Sequence, residues 1–590
     1  MKPLFYSQTT DKGLFNMKKL LIYMRDYKLE SILGPFFKLL EAGFELIVPL
    51  VVASIINKGI ANGDTGYILS RCLILLGLGL IGLVCSITAQ YFAAKAAIGF
   101  SSKVRHSLFE KIQSFSFSVL DKLGRSTLMT RITSDINQMQ SGVNMTLRLF
   151  LRSPFIVFGA MIMAFTVDVK SALVFAVAIP CLSVIVFGIL LVTIPLYRKT
   201  QSKLDSVMSI TRENLTGVRV IRAFCKEDSE EIEFNKRNDS LNNAQRLVGR
   251  ISALMNPLTY VIINFAVLFL ISVSGKQVYS GNLSQGDVVA LYNYMSQILI
   301  ELIKLANLIV TITKSIACAN RVAYILSIDE PDEQIASADE TQSENDCFIE
   351  FRNVSLTYKN ASEDSLSDIS FGIKKGETLG IIGGTGAGKT SLVNLIPHFY
   401  DATSGTVLVD GKDVKSYDSE KLRRKIGIVM QKAVLFKGTI RSNLGFADRF
   451  ATDDEMIEAL KSAQAYDFVM QKGGLDAEVA QGGRNFSGGQ KQRLTIARAL
   501  VGNPEILILD DSASALDYAT DAALRTAIRE LKNRPTVIIV SQRTSSLMHA
   551  DKIVVLDDGK VVGEGRHADL LENCEVYKEI YYSQYPKEVE

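Results

Sequence analysis

Six apolar stretches, each long enough to cross a lipid bilayer, occupy the first half of the 590-residue sequence. Crossing about 30 Å of hydrocarbon requires roughly 20 helical residues at a rise of about 1.5 Å per residue. Stretches of that length lie near residues 31–57, 68–94, 146–168, 170–196, 252–274 and 286–318. The sequence therefore predicts an all-α transmembrane domain of six helices over residues 1–328, embedded in a lipid bilayer.

Carboxylates interrupt two of these stretches. Glu301 and Lys304, spaced i, i+3 in the sixth stretch, share a helix face and are expected to pair or to face a cavity. Glu41 and Glu45 lie in the first stretch, where a charge is costly. One interpretation gives them a role in a water-filled substrate site, and the other places them near the headgroups beside Lys38. The sequence does not choose between the two.

Lysine and arginine concentrate in two of the connections between the apolar stretches. The connection between the fourth and fifth stretches holds eleven of them from Arg198 to Arg250, and that between the second and third is also rich in them. By the positive-inside rule, both termini and both long connections are expected to be cytoplasmic. Both connections have the pattern of helical extensions, which are either solvated hairpins or levers that dock elsewhere through turns near Ser114 to Lys122 and Asn214 to Lys226.

Composition excludes several classes of protein. A net charge of +3 argues against a nucleic-acid binder that works through a dominant basic surface. The N-terminus lacks the pattern of a secretory signal peptide. The seven cysteines have no CxxC spacing and are expected to be reduced, buried thiols. They are Cys72, Cys85, Cys181, Cys225, Cys318, Cys347 and Cys574.

An acidic linker at residues 329–347 separates this half from the rest of the chain, because the composition there changes to Asp, Glu, Ser and Gln. Beyond it, strand-like runs alternate with helical stretches. This alternation predicts an α/β domain with a mainly parallel sheet over residues 348–590.

A glycine-rich loop follows the strand-like run TLGII and precedes a helical stretch, which is the context that a P-loop requires. Backbone amides of such a loop surround a phosphate, its lysine neutralises β- and γ-phosphate oxygens, and its threonine reaches Mg²⁺. The residues expected to bind ATP here are Gly383, Gly384, Thr385, Gly386, Ala387, Gly388, Lys389, Thr390 and Ser391.

A second apolar run, Ile506 to Leu509, ends at Asp510 and Asp511. A carboxylate at the end of a buried strand beside a phosphate loop is the expected partner of Mg²⁺. The combination predicts an ATPase of the P-loop class, with Asp510 as a metal ligand together with Thr390.

The motif Phe486, Ser487, Gly488, Gly489 and Gln490 resembles the signature of the ATP-binding cassette exporter family, and the likeness covers nearly the whole chain. The resemblance implies an α/β P-loop nucleotide-binding domain with ATP and Mg²⁺ as its ligands. It also implies that the signature binds the ATP held by an opposite half-transporter subunit.

Other positions match the same family. The resemblance implies that Tyr358 stacks on adenine and that Gln431 contacts Mg²⁺. It also implies that the loop from Ser514 to Asp517 crosses the interface between the two subunits.

Two positions depart from the family pattern. The family's catalytic glutamate corresponds to Asp511, and its switch histidine corresponds to Gln542. The carboxylate of an aspartate lies about 1 Å closer to the main chain than that of a glutamate, and a displacement of this size costs around 10²-fold in rate. A glutamine cannot supply the imidazole contact to the γ-phosphate. The chain thus resembles the degenerate-site subunit of a heterodimeric exporter of drugs or other amphipathic compounds.

Three alternatives stay open at this stage. The chain could form a homodimer in which Asp511 suffices, or an importer of metal chelates or small metabolites on the same fold. A regulatory ATPase tethered to a membrane is poorly supported, since a tether does not need six spans. Knowledge of the family favours a bacterial inner membrane.

Overall fold

The computed structural model of the protein describes residues 20–328, 347–358 and 361–585. The chain divides into two compact units, one formed by residues up to Ser114 with Gly124–Asp329, and one formed by Phe115–Leu123 with the residues from Glu330 onwards. Apart from Cys347, the predicted linker 329–347 lies outside the described residues.

Among the described residues of the first unit, six long helices are apolar enough to cross a membrane, which confirms the number of predicted spans. They run from 40 to 55 residues, well beyond the roughly 20 that a bilayer requires. The extra length confirms that the two basic connections are helical extensions of the spans. The helices are α1 (Leu21–Ile60), α2 (Thr65–Gln113), α3 (Arg125–Val167), α4 (Val169–Ala223), α5 (Glu227–Tyr279) and α6 (Gln285–Leu326).

Polar side chains define where three of these helices begin. The carboxylate of Asp64 accepts a hydrogen bond from the backbone amide of Tyr67 at 2.9 Å, and that of Asp168 accepts one from the amide of Ser171 at 2.8 Å. Ser284 starts α6 with a capping box. Each cap satisfies an amide that the first helical turn leaves unpaired.

Buried alanines let the helices of this unit approach closely, as in other membrane helix bundles. Fully buried ones include Ala42, Ala160, Ala164 and Ala290. The apolar side chains on the opposite faces are exposed, as expected of positions that face lipid.

The carboxylate of Glu301 joins helices α3 and α6 of this unit. It accepts hydrogen bonds from Arg152, Ser153 and Lys304, each at 2.8 Å. Arg152 also donates to Glu45 at 2.6 Å. The predicted pair Glu301–Lys304 is confirmed, and its extension through Arg152 links α6 to α3 and α1.

Glu41 forms a separate ion pair with Lys38 at 2.6 Å. For Glu41 the structure therefore favours the interpretation that places it beside Lys38. Glu45 belongs to a different network, so the two carboxylates do not act as one pair.

All seven cysteines lie among the described residues and are free. The expectation that they are buried is correct for Cys85, Cys318 and Cys574. It is wrong for Cys72, Cys181 and Cys225, which are exposed. Cys72 and Cys181 lie on outer faces of α2 and α4, where a small apolar thiol suits lipid as well as a protein core.

Within the described part of the second unit, twelve strands form three sheets, and the largest sheet has the order β12-β11-β3-β10-β9-β6. Its strands from β11 to β6 pair in parallel, which confirms the predicted α/β class. A four-stranded sheet has the order β2-β1-β4-β5, and β7 pairs with β8. The strands are β1 (Ile349–Leu356), β2 (Leu366–Ile373), β3 (Thr378–Gly383), β4 (Ser404–Val409), β5 (Lys412–Asp413), β6 (Ile426–Val429), β7 (Gly438–Thr439), β8 (Glu478–Val479), β9 (Ile506–Asp510), β10 (Thr536–Val540), β11 (Lys552–Asp557) and β12 (Lys560–Gly565).

Nine α-helices surround these strands within the described residues of the unit, besides the short helix Phe117–Leu123. They are α7 (Lys389–Leu395), α8 (Ser419–Arg424), α9 (Ile440–Leu444), α10 (Asp453–Ser462), α11 (Tyr466–Gln471), α12 (Gly488–Val501), α13 (Tyr518–Arg529), α14 (His567–Asn573) and α15 (Glu575–Gln584). The apolar faces of α10 and α12 pack with β9 and β10 in one continuous core.

The predicted docking turn near Ser114 to Lys122 overlaps the segment Phe115–Leu123, which belongs to the second unit. The ring of Phe117 lies 4.4 Å from that of Phe399, measured between centroids. The hydroxyl of Tyr400 donates to the carboxylate of Asp121 at 2.6 Å. This turn therefore packs as part of the α/β unit. The other predicted turn, Asn214 to Lys226, is part of the first unit and covers the end of α4.

Candidate functional site

Three loops meet at the carboxyl edge of the parallel sheet. In the register of the sheet, Val540 pairs with Ile381 on one side and with Asp510 on the other. The residues that follow β3, β9 and β10 are therefore brought together, as expected for the ligand-binding edge of such a sheet. A cavity of about 460 Å³ opens there, lined by Glu363, Asp364, Ser365, Thr385, Gly386, Gly388, Lys389, Thr390, Ser391, Gln431, Asp510, Asp511, Val540, Ser541, Gln542, Asp558 and Gly559.

The glycine-rich loop, residues 383–390, turns sharply between β3 and α7. Gly386 and Gly388 both have a φ of 90°, a conformation that residues with a Cβ rarely adopt. A Cβ at Gly388 would lie 2.7 Å from the carbonyl oxygen of Ser365, whereas one at Gly384 or Gly386 would meet no atom within 4 Å. The loop thus leaves open space beside its backbone, where a phosphate group fits.

Lys389 closes this loop. Its ammonium group donates to the carbonyl oxygens of Gly383 at 2.9 Å and Gly384 at 2.5 Å. Burial lowers the pKa of Lys389, and the charges of Asp511 and Asp510 oppose that shift. A half-buried cation of this kind gains from an anionic ligand in the cavity, because the ligand offsets the cost of desolvation.

Thr390 and Asp510 form the part of the site that suits a metal ion. The threonine hydroxyl donates to the carboxylate, with oxygen separations of 3.1 and 3.3 Å. Adjacent ligands of an octahedral Mg²⁺ lie about 3 Å apart when each is about 2.1 Å from the metal. Burial raises the pKa of Asp510, and the charge of Asp511 adds to that shift. A divalent cation would stabilise the ionised carboxylate, so these residues fit Mg²⁺.

Asp511 and Gln542 lie in the same cavity as these binding residues. Asp511 has a φ of 46°, and its amide donates to the carbonyl oxygen of Val540 at 3.0 Å. The side-chain nitrogen of Gln431 lies 3.4 Å from the carboxylate of Asp511. The structure therefore brings together both positions that depart from the family pattern and the third predicted Mg²⁺ contact.

The signature residues occupy the start of α12. Ser487 and Gln490 form a capping box, in which the amide of Gln490 donates to the hydroxyl of Ser487 at 3.3 Å. Gly488 and Gly489 supply the next amides of the helix. None of these four residues is among the described residues that line the cavity. Asp517 similarly caps α13 by accepting a hydrogen bond from the amide of Thr520.

Tyr358 lies beside the glycine-rich loop, but it does not line the cavity. Its hydroxyl forms a hydrogen bond with the hydroxyl of Ser391 at 3.0 Å. Its ring meets that of Tyr400 edge to face, with centroids 5.2 Å apart. The predicted contact with adenine stays a prediction.

Sequence reasoning missed one wall of the cavity, formed by Asp364, Ser365, Asp558 and Gly559. Asp558 and Gly559 make the turn between β11 and β12 with φ values of 43° and 74°. An Asp-Gly pair between two strand-like runs is a strong hairpin signal, so the turn itself was readable from the sequence. Its position beside the loop depends on the pairing of β11 with β3, which the sequence does not reveal.

Comparison with known families matches both units. Residues 31–302 match the ABC transporter transmembrane region, and residues 366–514 match the ABC transporter family. An uncharacterized ABC transporter ATP-binding protein of Mycobacterium tuberculosis is 37% identical over 569 residues, which cover 95% of this chain and 97% of that protein.

Two further relatives have more specific names. A Bacillus subtilis protein provisionally named a multidrug export ATP-binding/permease protein is 32% identical over 591 residues, covering 96% of this chain and 99% of that protein. An ATP-dependent lipid A-core flippase of Syntrophus aciditrophicus is 32% identical over 493 residues, covering 82% and 80%. With both family matches in one polypeptide, the chain belongs to the ABC transporter family as an exporter half-transporter that fuses a transmembrane region to an ATP-binding domain.

Proposed function

We propose that this half-transporter holds Mg-ATP tightly at its own site but hydrolyses it slowly, and that it works with a different half-transporter. One observation carries the proposal. The cavity that gathers Lys389, Thr390 and Asp510 also contains Asp511 and Gln542, the two residues that replace the family's hydrolytic groups.

The two replacements are expected to slow the hydrolysis of ATP and to leave the binding of ATP unchanged. ATP with its Mg²⁺ supplies the phosphoryl group. ATP and Mg²⁺ would be held by the glycine-rich loop, Lys389, Thr390, Asp510 and Gln431. Asp511 is one methylene shorter than glutamate, so its carboxylate falls short of the attacking water, at a cost of around 10²-fold in rate. Gln542 stays neutral at every pH, so it cannot supply the imidazole contact to the γ-phosphate.

The position of the signature supports pairing with a second chain. Ser487, Gly488 and Gly489 start a 14-residue helix whose first amides do not line this chain's own cavity. In our proposal they contact the γ-phosphate of ATP bound to the partner, with the loop ending at Asp517 beside them. The partner then supplies a glutamate and a histidine, and its site performs most of the hydrolysis.

The cargo and the orientation follow from the membrane unit and its relatives. We propose export of drugs or other amphipathic compounds, in line with the multidrug export and lipid flippase names of two relatives. The basic extensions of α2 and α4 support a cytoplasmic location for both termini, by the positive-inside rule. The proposed location is a bacterial inner membrane.

The test is to restore the two hydrolytic groups. Full-length chain purified alone is expected to hydrolyse ATP slowly. In the complex with its partner half-transporter, the double variant Asp511→Glu, Gln542→His is expected to hydrolyse ATP at this site about 10²-fold faster than the parent. Adding Lys389→Ala to the double variant should abolish the gain, which assigns it to this site. A double variant no faster than the parent would overturn the slow-site proposal.

A second experiment addresses pairing. Two differently tagged copies of this chain are expressed with its neighbouring reading frames, and the complex is purified through one tag. A heterodimer predicts recovery of a different half-transporter without the second tag. Recovery of both tags without another chain would support a homodimer in which Asp511 suffices.

A further inference from the structure

The side chain of Gln584, the last residue of α15, is hydrogen-bonded to the loop that carries Gln542. We call residues 541–544 the switch loop. The side-chain nitrogen of Gln584 donates to the carbonyl oxygen of Gln542 at 2.7 Å. Its side-chain oxygen accepts from the amide of Thr544 at 2.9 Å and from the hydroxyl of Thr544 at 3.0 Å.

These three contacts determine the orientation of the amide. The backbone N–H of Thr544 can only donate, so it must face the oxygen of Gln584. The nitrogen of the same amide then faces the carbonyl of Gln542, which can only accept. One side chain thus satisfies a main-chain donor and a main-chain acceptor two residues apart.

Helix α15, which carries Gln584, is anchored to the core of the α/β unit. Tyr577 is fully buried in the core of the α/β unit, and Val576 and Ile580 pack against the same core. The hydroxyl of Tyr577 lies 2.7 Å from the Nδ1 atom of His567 on α14. An anchored helix holds a hydrogen-bonding group more precisely than a mobile tail does.

The switch loop is held from its other side as well. Arg543 donates to the carbonyl oxygens of Ser514 and Leu516, each at 3.3 Å. These belong to the loop that ends at Asp517. Gln542 lies between the two sets of contacts and is one of the residues that line the cavity.

We propose that Gln584 is a positioning residue of the ATP site. It fixes the main chain of residue 542 and so sets the distance from that side chain to the γ-phosphate. This inference rests on the proposed function of the cavity. A displacement of about 1 Å at a reacting centre costs around 10²-fold in rate, so a single lost contact is measurable.

The first test uses the full-length chain with its natural Asp511 and Gln542. Hydrogen exchange of the switch-loop amides is measured with and without Mg-ATP in the parent, in Gln584→Ala and in Ser583→Ala. Ser583 is the matched control, because it is exposed and, among the described residues, its hydroxyl bonds only to Ile580 of its own helix. We expect exchange at Thr544 to be about tenfold faster in Gln584→Ala and unchanged in the control.

Mg-ATP is expected to slow exchange of the switch loop in the parent and not in Gln584→Ala. Unchanged exchange at Thr544 in Gln584→Ala, or equal protection by Mg-ATP in both proteins, would overturn the inference. Neither readout depends on hydrolysis. Failure of the Asp511→Glu, Gln542→His variant to gain activity would therefore count against the slow site alone.

The second test separates the two halves of the contact. Gln584→Glu keeps the acceptor for Thr544 but places an oxygen against the carbonyl of Gln542. In the Asp511→Glu, Gln542→His background we expect kcat to fall about tenfold while KM for ATP changes less than about twofold. A fall in kcat no larger than in Ser583→Ala would show that the nitrogen contact does not position residue 542.

Discussion

The guanidinium of Arg152 donates to the carboxylate of Glu301 at 2.8 Å, and both residues are buried in the membrane unit, with 7% and 2% of their surface exposed. The same guanidinium donates to Glu45 at 2.6 Å. A single arginine therefore ties together helices α1, α3 and α6. In an apolar environment each of these charges depends on the others to offset its loss of hydration.

Arg152→Ala is expected to destabilise the membrane unit. The substitution leaves the buried carboxylate of Glu301 without its arginine, and breaking a buried pair in this way costs about 3–5 kcal/mol. Thermal unfolding of the purified chain, followed by far-ultraviolet circular dichroism, should show a clear fall in the midpoint. Lys236→Ala removes an exposed pair with a separation of 3.9 Å and should change stability by less than about 0.5 kcal/mol. Equal midpoints for both variants would contradict a stabilising role for the network.

The sequence alone predicted the features that depend on residues close together in the chain. The six spans follow from the length of apolar runs, and the glycine-rich loop follows from its spacing between a strand and a helix. The pair Glu301–Lys304 follows from helical periodicity, because residues three apart share a face. Each of these depends on neighbours within a few positions of the chain.

The sequence alone did not predict the features that depend on tertiary packing. Arg152 lies 107 residues from Glu45 and 149 from Glu301, and no local pattern joins them. Gln584 likewise meets Gln542 across 42 residues. The prediction that Cys72 and Cys181 are buried was wrong for a related reason. An apolar run indicates that a helix crosses the membrane, but it does not indicate which face of the helix contacts lipid.

Gly388→Ala is expected to damage the glycine-rich loop. An alanine at a φ of 90° is strained, and its Cβ would lie 2.7 Å from the carbonyl oxygen of Ser365, a backbone atom that cannot move aside cheaply. The cost of about 1–3 kcal/mol should weaken binding of a fluorescent ATP analogue by about tenfold or more. Gly384→Ala is the control for stability, because a Cβ there meets no atom within 4 Å. Its thermal midpoint should equal that of the parent.

Stability of the α/β unit should depend on pH through His567. Burial lowers the pKa of His567, and His549 adds to the shift, so the folded protein binds its proton less readily than the unfolded chain. The unfolded chain is protonated below a pKa of about 6.5, and stability is therefore lost as the pH falls through that value and is fully present above it. Burial raises the pKa of Tyr577 to about 12, so its hydroxyl stays protonated as the partner of His567.

The measurement is the thermal midpoint between pH 7.5 and 5.5, a range of about one unit on either side of the unperturbed histidine pKa. His567→Asn keeps a polar group near the hydroxyl of Tyr577 and cannot titrate, so its midpoint should fall less than that of the parent. His106→Asn alters an exposed histidine, with 75% of its side chain accessible, and should retain the fall seen in the parent. Parallel pH profiles for the parent and His567→Asn would contradict the assignment.

Ser487→Ala should separate the chain's own nucleotide site from the partner's site that, in our proposal, its signature completes. Ser487 does not line the cavity of its own chain, so the isolated variant should bind Mg-ATP with the affinity of the parent. In the complex with the partner half-transporter, loss of a hydrogen bond to a charged phosphate should lower ATP hydrolysis by about tenfold to 10²-fold.

The Ser487→Ala substitution also removes a helix cap, at a cost of about 1 kcal/mol. Thr452→Ala removes the equivalent cap of α10 and should leave hydrolysis unchanged. If both variants lowered hydrolysis equally, lost stability would explain the effect and the signature of this chain would not act on the partner's nucleotide.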